Sequence, residues 1–225
     1  MKCHLCDGQY EKFGIDWYCP SCDLLHTIVK DTVSVYDAQY CEKYIRYSQT
    51  EINKELQRYR WGSVLRHARS GKILDIGCGV GAFLQAAPEG FETFGQDVNN
   101  FCVEYCNSIG LRATCDLPEE EFDVVTMFDS LEHFSSFDDI VAYIRRCLSA
   151  NGHLVLGVPN FRHDLLEDIK EWRHYRPDEH VFGISETAVH RLCDKFGFEF
   201  LESNDDESKV RQPAGNISTY VLQKK

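Results

Sequence analysis

Ile73, Leu74 and Ile76 make a short apolar run that breaks into glycines at positions 77, 79 and 81, then resumes as Ala82, Phe83 and Leu84. Few architectures accommodate such a stretch: it reads as a buried β-strand, a tight turn and a helix start. Alternate glycines let the backbone take positive φ and let a ligand approach where a Cβ would clash, and nucleotide-like ligands favour such turns. The strand end and the helix N-terminus are therefore the expected cofactor site.

Two cofactor classes compete for it. Gly77-x-Gly79-x-x-Ala82 fits a dinucleotide-binding pattern, and Asp97 stands 22 residues beyond Asp75, near the spacing of a ribose-binding acid. Asp75 separates the two. A carboxylate two residues before the first glycine offers nothing to a pyrophosphate, whereas a cationic ligand tolerates it well.

Asp75-x-Gly77-x-Gly79-x-Gly81 resembles the first motif of the class I S-adenosylmethionine-dependent methyltransferases, and the resemblance runs from about Lys72 to Tyr220. It implies that Asp75 lies near the amino group of the methionine moiety and that the turn Gly77, Cys78, Gly79 packs against the cofactor. Asp97, with Val98 beside it, matches the acid that binds the ribose hydroxyls. Asp116 and Leu117 match the adenine site. The run from Phe122 through Phe128, Asp129 and Leu131-Glu132-His133 resembles the fourth motif. The resemblance implies a Rossmann-like, seven-stranded, mostly parallel sheet with helices on both faces, within a domain spanning residues 71–225.

Strands alternating with helices support that α/β reading. Strands are predicted over Phe91–Gly95, Leu111–Cys115, Phe122–Phe128, His153–Val158, Phe198–Leu201 and, antiparallel, Ser218–Leu222; helices over Asn99–Ser108, Phe137–Ser149 and Glu186–Lys195, the last capped by Ser185. The acidic turn Asp205-Asp206-Glu207 reads as exposed. Pro213-Ala214-Gly215 reads as a flexible loop near the pocket rim.

Ahead of this domain, Cys3-x-x-Cys6 and Cys19-x-x-Cys22 predict a small zinc ribbon or knuckle over residues 1–30, since four thiolates satisfy the tetrahedral preference of Zn2+. Four ligands close the site, so the metal is structural; His4 and His26 are bystanders. Metal binding would supply the folding energy of so small a segment. Tyr36, Tyr40, Tyr44 and Tyr47 recur at helical spacing in a segment spanning residues 31–70. The chain is similar to a small bacterial type of methyltransferase in which such a knuckle leads into a Tyr-rich helix over the cofactor pocket.

From Phe161 to Phe182 the periodicity lapses and Trp172, Arg173, His174, Tyr175, Arg176, Glu179 and His180 gather, which suits an acceptor pocket. Methyl transfer from a sulfonium to a hydroxyl benefits from a general base, and histidine suits the task near neutral pH. His133, His180 and His174 are the candidates.

The resemblance implies a small polar acceptor, a sugar or nucleotide-linked sugar. An RNA or protein methyltransferase using the zinc module for recognition, and a non-catalytic cofactor-binding protein, are the alternatives. A net charge of -12 weighs against broad nucleic-acid binding, although Cys41–Lys72 carries eight Lys or Arg against three Glu. No apolar run approaches the roughly 20 residues that span a bilayer, and no signal-peptide layout opens the chain. Eleven cysteines then predict a reducing, cytoplasmic setting with metal ligands and free thiols. A monomer or homodimer without membrane contact is expected.

Overall fold

The computed structural model describes residues 1–28, 37–211 and 217–225. Short strands β1 (Glu11–Phe13), β2 (Asp16–Cys19) and β3 (Leu24–His26) open the chain. They are followed by helices α1 (Ala38–Ser48) and α2 (Glu51–Leu65), then β4 (Gly71–Ile76), the single helical turn α3 (Ala82–Gln85), β5 (Phe91–Gln96), α4 (Asn100–Ser108), β6 (Ala113–Thr114) and β7 (Phe122–Phe128). The last third holds α5 (Phe137–Cys147), β8 (Leu148–Pro159), β9 (Phe182–Ile184), α6 (Glu186–Phe196), β10 (Phe198–Asn204) and β11 (Ile217–Lys224).

The main sheet has seven strands in the order β10-β11-β8-β7-β4-β5-β6. Pairings from β8 through β6 are parallel, while β11 runs antiparallel to both β8 and β10. The centre of the sheet is buried on both faces, which is why Ile73, Leu74, Val124, Val125, Leu154 and Leu156 form apolar runs without alternation. The chain steps outward from β4 to β5 and β6, then returns to place β7 on the other side of β4. Such a reversal opens a crevice beyond the strand carboxyl ends, and the glycine turn sits there.

Local chemistry fixes the helix ends. In α5, Ser136 accepts a hydrogen bond from Asp139 N, acids occupy the first turn and Arg145 and Arg146 the last. The predicted cap Ser185 accepts from Ala188 N, and Gly197 ends α6 with φ +70°. Helix α5 stops at Cys147, two residues short of the expected Ser149, because Leu148 already pairs with Phe122; Asn151, at φ 62°, turns the chain before the ladder resumes at His153.

The second sheet is antiparallel, in the order β1-β2-β3-β9. Its fourth strand comes from far along the chain: Leu24 pairs with Ile184 and His26 with Phe182. Cys3, Leu5, Tyr10 and Leu24 pack in one core cluster with Phe137, Phe182 and Ile184. Lys195 Nζ clamps the arrangement by donating to His4 O and Asp138 Oδ1, each at 2.6 Å. Of the Tyr stripe, Tyr40, Tyr44 and Tyr47 lie on α1; Tyr36 and the Pro213-Ala214-Gly215 loop fall outside the described residues. No helix among the described residues is long and apolar enough to cross a membrane.

Candidate active site

The glycines at 77, 79 and 81 all occupy the left-handed region, with φ 78°, 53° and 71°. Their reasons differ. A Cβ at Gly77 would run into the Ser130 side chain and one at Gly81 into Leu111, whereas at Gly79 nothing stands within 4 Å. Positions 77 and 81 are therefore glycine for packing as well as conformation, and Gly79 presents bare backbone to open space. Gly77 N and Cys78 N donate to Gln96 O at 2.7 and 2.9 Å, tying the turn to β5.

A cavity of about 920 Å³ opens beside this turn. One wall is Asp75, Gly77, Cys78, Gly79, Phe128 and Asp129; Tyr40, Tyr44 and Tyr47 of α1 line another part, and Glu132, His133, His174 and His180 a third. Asp97, Val98, Asp116 and Leu117 are outside this lining. The Asp97 carboxylate turns inward, accepting from Gly79 N at 2.7 Å and Asn99 N at 2.8 Å, so it shapes the turn. Val98 is 71% exposed.

Charge is arranged unevenly. Asp75 is buried and accepts from Thr126 Oγ1 at 2.7 Å; burial pushes its carboxyl up to about 7, against the opposing pull of that bond and of Arg60. Asp129 is the reverse case. Burial alone would raise it, but Arg211 and Arg60 outweigh burial and hold it well below the carboxylate range. Arg60 Nη2 donates to Asp129 at 2.7 Å and to Glu207 at 3.2 Å; Arg211 donates to both acids in turn. A φ of 53° at Asp129, a conformation that aspartate tolerates, accompanies this placement.

This four-membered network corrects one sequence expectation in part: of the acidic turn, Asp205 is exposed as expected, but Glu207 is 1% exposed. The rest of the network escaped sequence reading because its members lie 147 and 82 residues apart along the chain. An arginine in a helix rich in basic residues gives no local sign of burial.

His133 and His180 meet at right angles, their rings 4.8 Å apart. Each sets its Nδ1 against a backbone carbonyl, Glu179 O at 3.0 Å for His133 and His174 O at 2.9 Å for His180. A carbonyl only accepts, so both Nδ1 atoms carry the proton and both lone pairs reside on Nε2. Burial keeps all three histidines from charging: His180 is pushed down to about 3, with His133 and Arg176 adding to the effect, His174 to about 4, and His133 downward too. Desolvation thus lowers the rings from the near-neutral range that suits a general base. Glu132, 1% exposed, has both oxygens unpartnered among the described residues, and burial drives its carboxyl upward.

Backbone bonds hold this wall in place. Val181 N donates to Glu132 O at 2.7 Å, Thr27 N to Val181 O at 2.8 Å, and Thr27 Oγ1 to His180 O. Thr27, the residue after strand β3, thus ties the cysteine module to the histidine it helps to fix.

Cys3, Cys6, Cys19 and Cys22 place their sulfurs within 4.8 Å of one another, with Cys3–Cys22 at 3.8 Å and Cys6–Cys19 at 3.7 Å. Metal–sulfur bonds of about 2.3 Å in a tetrahedron require sulfurs about 3.8 Å apart. Leu5 N and Gly8 N each donate to a cysteine sulfur at 3.4 Å, as thiolates favour. The donor set fits Zn2+. His4 and His26 stand apart from it, packed edge-on at 5.2 Å near Phe182.

A methyltransferase-domain profile matches residues 44–203. This chain belongs to the methyltransferase-domain family. The chain is similar to an uncharacterized protein of Haemophilus influenzae, 25% identical over 150 residues, a match that takes in 57% of this chain and spans only 59% of that protein's length. Its fold is also that of an S-adenosylmethionine-dependent methyltransferase of Thermotoga maritima, at 17% identity and a TM-score of 0.59, covering 83% of this chain and 97% of the other. The N-methyltransferase NodS of Bradyrhizobium japonicum, solved in complex with S-adenosyl-L-homocysteine, matches with a TM-score of 0.55 at 15% identity, covering 84% of this chain and 99% of NodS. The glycine turn and seven-stranded sheet of this chain thus have the fold of those two structures.

Proposed function

We propose that this methyltransferase moves a methyl group from S-adenosyl-L-methionine to a hydroxyl of a small polar acceptor, a sugar or nucleotide-linked sugar. One observation carries the reading: a single cavity joins the glycine turn and Asp75 to a second wall built by Glu132, His133, His174 and His180. A donor held at the first and an acceptor held at the second would meet with no barrier between them. Proximity and alignment supply much of the rate in such an in-line displacement.

The roles follow from the chemistry of each group. Asp75 attracts the ammonium of the methionine moiety, and the bare backbone at Gly79 lets the cofactor lie close. The acceptor oxygen gives its proton to the Nε2 of His133 or His180 as its lone pair attacks the methyl carbon, and the carbon–sulfur electron pair leaves with S-adenosylhomocysteine. The Nε2 lone pairs of His133 and His180 point the polar wall toward receiving that hydroxyl. Tyr40, Tyr44 and Tyr47 offer faces for the C–H surface of a sugar, and Lys43 and Arg176 offer cations for a linked diphosphate. Cys3, Cys6, Cys19 and Cys22 would hold Zn2+, which would supply folding energy to the module that fixes His180.

Release of S-adenosylhomocysteine, followed across a panel of sugars and nucleotide sugars and across RNA and peptides, tests the assignment. Turnover on the sugar set, reduced at least about a hundredfold by His180→Gln with cofactor affinity retained, is the expected result. Turnover confined to RNA or peptide would overturn the acceptor class.

A further inference from the structure

Glu132 is the one carboxylate in the cavity wall whose burial the proposed methyl transfer does not explain. Asp129 is neutralised by Arg60 and Arg211, and Asp75 has Thr126. Glu132 has no partner for either oxygen among the described residues although it is 1% exposed. A buried carboxylate without a hydrogen bond is costly, and such groups are paired or coordinate metals.

The neighbours complete a donor set. One ligand atom each from Glu132, His133 and His180 lie within 4.8 Å of one another. Both imidazoles donate Nδ1–H to backbone carbonyls, of Glu179 and His174. That is the outer contact that metal-bound histidines make, because it fixes the tautomer and aims the Nε2 lone pair. An ion with bonds of about 2.1 Å needs its ligand atoms about 3 to 4 Å apart, so side-chain adjustments of about an ångström close the cluster.

We propose that Glu132, His133 and His180 bind a divalent first-row transition-metal cation, with its remaining positions open to the cavity for oxygen atoms of the acceptor. Two imidazoles and one carboxylate suit Mn2+, Fe2+, Co2+ or Zn2+ better than the all-oxygen preferences of Mg2+ or Ca2+. A cation there polarises a bound hydroxyl, so that the proton leaves to solvent at neutral pH and the resulting oxyanion is the nucleophile. With the ion bound, the Nε2 lone pairs of His133 and His180 are its ligands, so the proton goes to solvent and not to either histidine. The role assigned to the ion rests on the proposed methyl transfer; the binding itself does not.

The site is distinct from the four-cysteine centre, and the experiment exploits that. The protein with its cysteine site loaded with zinc is freed of loosely held metal, then titrated with MnCl2 while the electron paramagnetic resonance signal of free aqueous Mn2+ is followed. One Mn2+ per chain is expected, with affinity falling at least tenfold in Glu132→Gln and in His180→Gln. Zinc content and the circular dichroism spectrum of each variant verify the fold. Absence of stoichiometric Mn2+ binding up to millimolar concentration would overturn the proposal, and so would undiminished affinity in both variants. If Mn2+ binds as described but no acceptor is methylated, the metal site stands and the acceptor assignment fails. If methyl transfer runs at full rate while Mn2+ does not bind, the reverse holds.

Discussion

At the residue scale the site is governed by how burial treats each charge. Asp75 holds its proton up to about pH 7, whereas an unfolded aspartate releases it near pH 4. Its pKa is raised in the folded state, so its ionisation costs stability progressively as pH climbs from about 4 to 7. Cofactor binding should draw on the same equilibrium. If the ammonium of the cofactor pairs with the ionised form, binding releases about half a proton at pH 7 and nearer one at pH 6. Titration calorimetry in two buffers of different ionisation enthalpy reads this number directly; zero release at both pH values would remove Asp75 from that role. Glu207 gives a second expectation. Glu207→Gln leaves Arg60 and Arg211 sharing Asp129 alone, and breaking one member of a buried ion network costs about 3–5 kcal/mol. Urea unfolding measures it, and a loss under about 1 kcal/mol would show that the network is not held as described. Gly79→Ala tests the open approach: with nothing within 4 Å the added methyl fits, at about 1 kcal/mol for its left-handed backbone, yet cofactor affinity should fall well beyond that cost.

At the element scale, periodic segments were legible and isolated ones were not. Phe122–Phe128 and Phe137 onward follow from apolar spacing, and Ser185 and Gly197 mark helix ends by their own chemistry. Strand β9 has three residues, and its partner β3 lies about 160 positions earlier, so no local pattern announces it. That pairing is what makes the cysteine module matter to the cavity: β3 holds β9, and Thr27 holds His180 and Val181. Removing zinc with a chelator, or making Cys22→Ser, should therefore cut methyl transfer by at least about tenfold and speed amide exchange at Val181 and Phe182, while the glycine turn, braced separately by Gln96, still binds cofactor. Equal loss of cofactor binding and turnover would mean that the module supports the whole fold and not one wall.

At the scale of the whole molecule, sequence spacing marked the glycine-turn end of the cavity better than the histidine end. Asp75, Gly77, Cys78 and Gly79 are consecutive enough for their spacing to signal a turn, and the turn lines the cavity. The wall proposed for the acceptor is assembled from the loop after β7 and from residues 174–180, more than 40 positions apart, and only the fold reveals that Glu132 lies beside His180 there. Arg60 and Arg211 come from still further away, on opposite sides of the sheet sequence. Everything assigned to the acceptor wall presumes a methyl donor at the glycine turn. Calorimetric titration of the zinc-loaded protein with S-adenosyl-L-methionine, S-adenosyl-L-homocysteine and NAD, repeated on Asp97→Ala, tests that most directly. One saturable site for each sulfur ligand is expected, weakened in the variant whose turn has lost the carboxylate bonded to Gly79 N and Asn99 N, with no binding of NAD. Binding of NAD with neither sulfur ligand bound would contradict it.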